Sequence, residues 1–310
     1  MFTHMDYIYE VYKEKSFSNA AKNLFISQSS LSLTIKRAEE KIGMPVFDRS
    51  TYPIQLTEFG ILYINAVEEI HNISNQLTDY IYDVNHLRKG HLSIGAGNFF
   101  STYYVAPAIS AFKEKYPNIS IDLMEGRTLD LEPMLANGTL DILVTNASLD
   151  ISVYHKYRLF DEQLILVIPK KYLHSEDAAQ NAVSYEELNR DTYCQNGISL
   201  EILSGIPFIS MRQGNDLNKR TADMLKSVDL IPNKVLELDQ TSTAFRLACS
   251  GMGACIVGNT VIQKLGCPPD IFLFYIDHPK AHREVAIYTK NVDYISRTSR
   301  KFIDIMLRQS

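Results

Sequence analysis

From Phe59 to Val84 the apolar residues Phe59, Leu62, Ala66, Ile70, Ile73, Leu77, Ile81 and Val84 recur at spacings of three and four. Steps of that size line side chains along one face of an α-helix. After Gly60 neither proline nor glycine interrupts the run, which predicts one helix of about 28 residues, roughly 40 Å long at 1.5 Å per residue. A small domain cannot bury a seam of that length. The seam either pairs with a second copy of itself, as in a coiled coil, or packs on the chain's own C-terminal region. The helix also divides the chain into residues 1–60, a connecting helix at 61–88, and residues 89–310.

At 310 residues, with 45% hydrophobic and 22% charged residues, the chain has material for two or three globular units. No apolar run approaches the roughly 20 residues that cross a bilayer. Asp6, Glu10 and Lys13 break up the N-terminus, so it does not read as a signal peptide, and a cytoplasmic protein is expected. The cysteines at 194, 249, 255 and 267 lack metal-ligand spacing and read as structural thiols, with a redox role for Cys249 or Cys255 left open. The formal net charge is −5. In residues 1–60 the lysines and arginines at 13, 15, 22, 36, 37, 41 and 49 balance the acids at 6, 10, 14, 39, 40, 48 and 58. Net charge therefore says nothing about nucleic acid, and only the placement of the basic residues can.

Within residues 1–60, Tyr7, Ile8, Val11 and Tyr12 mark one face of a first helix, which ends at Lys15–Ser16. Ser18 is placed to cap a short second helix with Ala20, Ala21 and Leu24, and Phe25–Ile26 reads as a buried connection. Ser27 caps a third helix whose apolar stripe is Leu31, Ile35, Ala38 and Ile42, and Gly43 stops it. Two short helices joined by a tight turn, the second with a polar outer face, form a helix-turn-helix. Laid in the major groove, the third helix would present Gln28 to adenine. Ser29, Ser30 and Ser32 would reach bases or phosphates, and Lys36 and Arg37 would clamp the backbone. Val46–Phe47 and Ile54–Leu56 suggest a hairpin wing with Arg49 directed at phosphate, and Thr57 caps the long helix. A three-helix domain used for protein contacts is the alternative.

Beyond Arg88-Lys89-Gly90 the pattern alternates. Leu92–Ala96, Ile119–Met124 and Leu140–Val144 read as strands, with helices at Ile109–Tyr116 and Leu129–Asn137 between them. This βαβαβ order predicts a mostly parallel sheet. Further strands are expected at Leu164–Ile168, Ala254–Val257 and Glu284–Tyr288, with helices at Thr243–Ser250 and Val292–Met306. About 210 residues of this kind suit two lobes: lobe I at about 91–161 and 268–310, lobe II at about 162–267. A cleft between lobes is a common ligand site. Asn98, Ser101 and Thr102 after the first strand, and Thr145 and Asn146 after another, are candidates to face it, with Gln195 and Asn196 opposite. Their neutral donors suit a carboxylate or a polar metabolite, although capping roles would explain the same residues. No metal-ligand pattern, phosphate loop, dinucleotide loop or nucleophile elbow is present, so the lobes read as a binding module and not an enzyme, without metal or cofactor.

Together these residues resemble the LysR-type transcriptional regulators over essentially the whole chain. The likeness is carried by Ser16-Phe17-Ser18-Asn19-Ala20-Ala21, Ile26-Ser27-Gln28-Ser29-Ser30-Leu31-Ser32, Glu39-Glu40, Ile42-Gly43, Pro45-Val46-Phe47-Asp48-Arg49 and Leu56-Thr57-Glu58-Phe59-Gly60. Ile94-Gly95, Tyr116-Pro117, Glu125-Gly126, Gly138-Thr139-Leu140-Asp141 and Leu247–Val257 continue it. The resemblance implies a winged helix-turn-helix, a dimerising linker helix and a two-lobed sensor of the periplasmic-binding-protein type. It implies assembly as dimers or tetramers on double-stranded promoter DNA, control by a small-molecule effector, and RNA polymerase as a candidate partner. Gln28, Ser29, Ser32, Lys36, Arg37 and Arg49 match the family's DNA-facing positions. Ser29 replaces a usual proline, Leu33 takes a position that is often polar and is a candidate apolar DNA contact, and Ala38 replaces a leucine. Tyr52–Gln55 makes a less basic wing. The alternative is a solute-binding protein of the same two-lobed fold, which residues 1–88 argue against.

Overall fold

The structure, a computed structural model, describes residues 2–51, 53–84, 90–173, 180–188, 197–291 and 295–309. Arg88, Lys89, His174, Cys194, Gln195 and Asn196 lie outside the described residues. The chain separates into two compact units, Met1–Ile81 with Asn137–Thr139, and Tyr82–Ala136 with Leu140–Ser310.

The first unit packs α1 (Met5–Glu14), α2 (Phe17–Asn23) and α3 (Gln28–Ile42) around Ile8, Val11, Ala20, Ala21, Leu31, Ile35 and Ala38. The two alanines keep the α2 surface low enough for its neighbours to cross closely. Ser16, and not Ser18, caps α2, its Oγ accepting from the Asn19 amide at 3.3 Å. The helix starts early because Phe17 is drawn in against Phe47, with ring centroids 5.8 Å apart. Ser27 caps α3 by accepting from the Ser30 amide at 3.2 Å. Gly43 ends α3 at φ +89°, a conformation that a side chain would strain.

The expected burial of Phe25 is not found. Its side chain is 94% exposed and its φ is +54°. The Phe25 amide donates to the Lys22 carbonyl and the Ile26 amide to the Ala21 carbonyl, so the chain reverses tightly. Leu24 and Ile26 then face the core and Phe25 points out.

The hairpin pairs β1 (Phe47–Asp48) antiparallel with β2 (Gln55–Leu56). α4 (Glu58–Val84) follows for 27 residues, with the Gly60 amide donating to Thr57 Oγ1 at 2.9 Å. A Cβ on Gly60 would lie 2.1 Å from the Val46 carbonyl oxygen, so only glycine lets α4 start against β1.

In the second unit β3 (Gly90–Ala96) leads through a turn of helix at Asn98–Phe100 and a π-helical stretch at Ser101–Val105 into α5 (Ala106–Lys115). Then come β4 (Ile119–Glu125), α6 (Thr128–Ala136) and β5 (Ile142–Thr145). β4, β3 and β5 are parallel, as their alternation predicts. The rest of the sheet departs from the mostly parallel expectation. β6 (Tyr154–Pro169) is a 16-residue strand, of which the predicted Leu164–Ile168 is only the end. Its first part pairs antiparallel with β11 (His282–Lys290), which itself lies antiparallel to β5. Its last part carries β9 (Cys255–Gly258) and β10 (Ile271–Tyr275). β6 therefore runs from one lobe into the other as one strand.

β7 (Pro207–Met211) and β8 (Asn233–Leu238) form a parallel pair, which the Phe208–Ala254 bridge joins to this second lobe. α7 (Asp216–Lys226), α8 (Thr241–Cys249) and α9 (Asn259–Leu265) cover it. Because β10 pairs with the end of β6, the chain returns to the first lobe between Tyr275 and His282, later than the expected position near residue 268. α10 (Arg297–Gln309) packs Phe302 on Phe112, with ring centroids 5.6 Å apart. Val292–Tyr294, expected in this helix, lie outside the described residues.

Candidate functional site

Gln28, Ser29 and Ser30 form the first turn of α3 and are exposed. Ser29 Oγ lies 3.1 Å from Ser27 Oγ, and the Ser30 carbonyl accepts from Thr34 Oγ1 at 2.9 Å. Two rows at spacing four then run along the helix, Gln28–Ser32–Lys36 and Ser29–Leu33–Arg37. Ser32 is half-buried, Leu33 is 50% exposed, and Lys36 and Arg37 are exposed. Glu40 extends the first row with an exposed carboxylate, so the positive stretch is short. Arg37 and Lys41 flank a hollow of about 130 Å³ that also includes Thr3 and His4.

Arg49 does not stand free on the wing. Its Nη2 donates to Glu39 Oε2 at 2.8 Å, and the guanidinium carbon lies 5.3 Å from the Phe17 ring centroid. Glu39 is buried, and its Oε1 also accepts from the amides of Val46 and Phe47 at 2.8 and 3.2 Å. One carboxylate thus joins α3, β1 and the arginine, and the remaining exposed edge of Arg49 is what the wing offers to solvent. Beside it, Asp48 accepts from the Ser50 hydroxyl and amide, which hold its carboxyl below the usual range.

The second unit contains an open cavity of about 390 Å³. From the first lobe it is lined by Gly97–Phe100 after β3, by Glu125–Thr128 from the last residue of β4 onward, and by Thr145–Asn146 at the end of β5. From the second lobe come Gly214–Leu217 at the start of α7 and Asp239–Thr241 at the start of α8. Strand ends and helix starts meet there because the parallel strands β3, β4 and β5 all end at one edge.

Of the residues expected to face the cleft, Asn98, Thr145 and Asn146 line this cavity. Ser101 and Thr102 do not. Ser101 is buried, with its hydroxyl 3.5 Å from the Ala96 carbonyl, and Thr102 donates to the Asn98 carbonyl at 2.9 Å. The helical turn after β3 sends those two side chains back onto their own backbone. Thr145 Oγ1 lies 2.7 Å from Thr128 Oγ1 and accepts from the Ala147 amide at 3.1 Å.

Sequence reasoning missed the charged part of the lining. Glu162 and Arg283 are both buried, with Arg283 Nε and Nη2 each 2.6 Å from Glu162 Oε2. Arg283 Nη1 reaches Asp216 Oδ2 at 3.3 Å, and that oxygen also accepts from Arg220 Nε at 2.7 Å. Thr260 Oγ1 and Asn146 Nδ2 both donate to Glu162. Arg127 is paired with Asp130, which raises its already high pKa. The lining sets Glu125, Glu162, Asp216 and Asp239 against Arg127 and Arg283, so its formal balance is negative. Gln240 precedes α8 without a side-chain cap, leaving the first amides of that helix open to an acceptor.

Burial pushes the Cys255 thiol up, likewise that of Cys249, and that of Cys267 to about 11, which keeps all three protonated and poorly nucleophilic. Among the described residues no group of three or more His, Cys, Asp and Glu side chains could hold a metal ion.

Residues 2–61 match the model of the bacterial regulatory helix-turn-helix protein, lysR family, and residues 85–310 match that of the LysR substrate binding domain. The uncharacterized HTH-type transcriptional regulator YcgK of Bacillus subtilis (strain 168) is 26% identical over 97% of this chain and 92% of its own length. A probable RuBisCO transcriptional regulator of Synechocystis sp. (strain ATCC 27184 / PCC 6803 / Kazusa) is 25% identical over 96% of this chain and 82% of its own. Among solved structures, a full-length OxyR variant from Pseudomonas aeruginosa superposes with a TM-score of 0.67 at 20% identity, covering 99% of this chain and 97% of that one. Full-length CbnR in complex with its target DNA superposes with a TM-score of 0.65 at 15% identity, covering 100% of both chains.

Proposed function

The chain belongs to the LysR family of DNA-binding transcriptional regulators, and from that premise we propose which surface reads DNA and which cavity receives the signal. α3 is the recognition helix. The observation that carries this assignment is its first turn, where Ser27 caps the helix and leaves Gln28, Ser29 and Ser30 exposed ahead of Lys36 and Arg37. Gln28 reads a base edge. Ser29, Ser30, Ser32 and Leu33 follow the groove floor and wall, Lys36 and Arg37 hold phosphates, and Arg49 supports the wing through Glu39.

The test is binding to a duplex carrying the intergenic DNA upstream of the protein's own gene, against a scrambled duplex of the same composition. Preference for the natural duplex, with affinity falling steeply as salt rises, is expected. Equal affinity for both would overturn the assignment. Gln28→Ala should relax sequence preference, whereas Lys36→Ala should weaken all duplexes alike and reduce the salt slope by about 1.

The cavity between the lobes of the second unit is the effector site, with Asn98, Thr145 and Asn146 among its polar contacts. Its negative balance and paired arginines favour a neutral or zwitterionic polar metabolite over a polyanion. The exposed seam of α4 supports self-association as a dimer or tetramer. Location in the cytoplasm follows from action on promoter DNA, and no described helix is long and apolar enough to cross a membrane.

A further inference from the structure

Phe25 sits in the connection between α2 and α3, 94% exposed and at φ +54°. Both features are unfavourable. An exposed ring forgoes burial, and the left-handed region disfavours bulky side chains while glycine and asparagine occupy it readily. The fold does not use the ring, since Leu24 and Ile26 supply the packing of the turn. Nor do the turn's hydrogen bonds need it. They run through the backbone, from the Phe25 amide to Lys22 at 3.1 Å and from the Ile26 amide to Ala21 at 3.0 Å. A residue that is costly twice over, and idle in the fold, points to a role in binding.

Its position says which. Three steps of chain separate Phe25 from Gln28, so their Cα atoms lie at most about 11 Å apart. A recognition helix enters the major groove by its N-terminal residues, and that groove is about 12 Å wide. The turn just ahead of such a helix therefore lies at the groove wall, which is built of deoxyribose and phosphate. A phenyl ring has no donor for phosphate, but the sugar carbons offer it apolar surface. On the outer face of α3 the exposed Glu40 follows Lys36 in the same row, so the positive stretch is short and a contact independent of charge adds to it.

We propose that Phe25 packs its ring on deoxyribose of the strand bordering the groove that α3 enters, as a sequence-independent and salt-insensitive contact. The proposal rests on α3 being the recognition helix.

The experiment compares the full-length parent, Phe25→Asn, Phe25→Gly and Phe25→Tyr on the natural upstream duplex and on its scrambled form. Specific binding by the parent tests the assignment of α3, and the variants relative to the parent test the ring. Asn and Gly suit the left-handed backbone, so both variants should unfold no earlier than the parent. They should bind each duplex about tenfold more weakly, equivalent to about 1.4 kcal/mol, with an unchanged salt slope. Phe25→Tyr should stay within about twofold of the parent. Affinity within twofold for both Phe25→Asn and Phe25→Gly overturns the proposal, and so does an equal loss in Phe25→Tyr. Unchanged DNA affinity with loss of transcriptional response would place the ring against a protein and overturn it as well.

Discussion

Glu39 and Arg49 show how the role of a single residue depends on what surrounds it. In the sequence, Glu39 belongs to an ordinary acidic pair and Arg49 to a wing directed at phosphate. Folding brings the two together across ten positions and adds the amides of Val46 and Phe47 to the same carboxylate. Glu39→Gln keeps the size of the side chain but removes the charge, and its amide nitrogen must then face a donor. The glutamine oxygen can keep both backbone amides, more weakly without the charge. Its nitrogen then meets the Arg49 guanidinium, donor against donor, at a site partly open to solvent. A destabilisation of about 2 kcal/mol is expected, measured as an earlier denaturant transition of the first unit. An unchanged transition would mean that the wing holds its place without Glu39. The residues that could be read in advance were those acting through adjacent backbone. Ser27 and Thr57 as caps and Gly43 as terminator needed no knowledge of distant partners.

α4 displays at the level of an element what its apolar spacing implied. Tyr63, Ile64 and Val67 turn inward onto the first unit, where Phe2 stacks on Tyr63 and His71 meets Asp6 at 2.9 Å. Leu62, Ile73 and Leu77 are 67%, 59% and 61% exposed, and their spacings of eleven and four place them on one stripe. Exposed leucine and isoleucine in a row are costly for a monomer. Replacing Ile73 and Leu77 together with glutamate should convert the assembled protein to monomers in light scattering, and specific DNA binding should weaken because two half-sites are no longer read at once. An unaltered molar mass would assign the stripe to another surface of the same chain. The strand order was less legible. Alternation identified the parallel strands β3, β4 and β5, but the antiparallel passage through β6 and β11 joins residues more than a hundred positions apart.

Across the whole molecule, the two units carry separate cores, and the second is held at its cavity by Glu162, Arg283 and Asp216. With both members of the Glu162–Arg283 pair buried, Arg283→Met leaves the Glu162 carboxylate without its cation, whereas Asp216 keeps Arg220. Removing one partner of such a pair costs about 3–5 kcal/mol. The expected outcome is a second unit that unfolds earlier, while helical structure in the first unit persists to its original temperature. Simultaneous loss of both would mean that the two cores fold as one cooperative body.

By itself the sequence determined the helix-turn-helix, the long helix behind it and the alternating pattern of the lobes. Caps, periodicity and terminators act within a few turns of backbone, so their information is local. Tertiary structure alone decided that Phe25 faces outward, that Arg49 is tied to Glu39, and that Ser101 and Thr102 turn away while Asn98 lines the cavity. It also decided that Glu162 and Arg283 meet. Each of these depends on which distant segment fills the space beside a residue, and spacing along one chain carries no record of that neighbour.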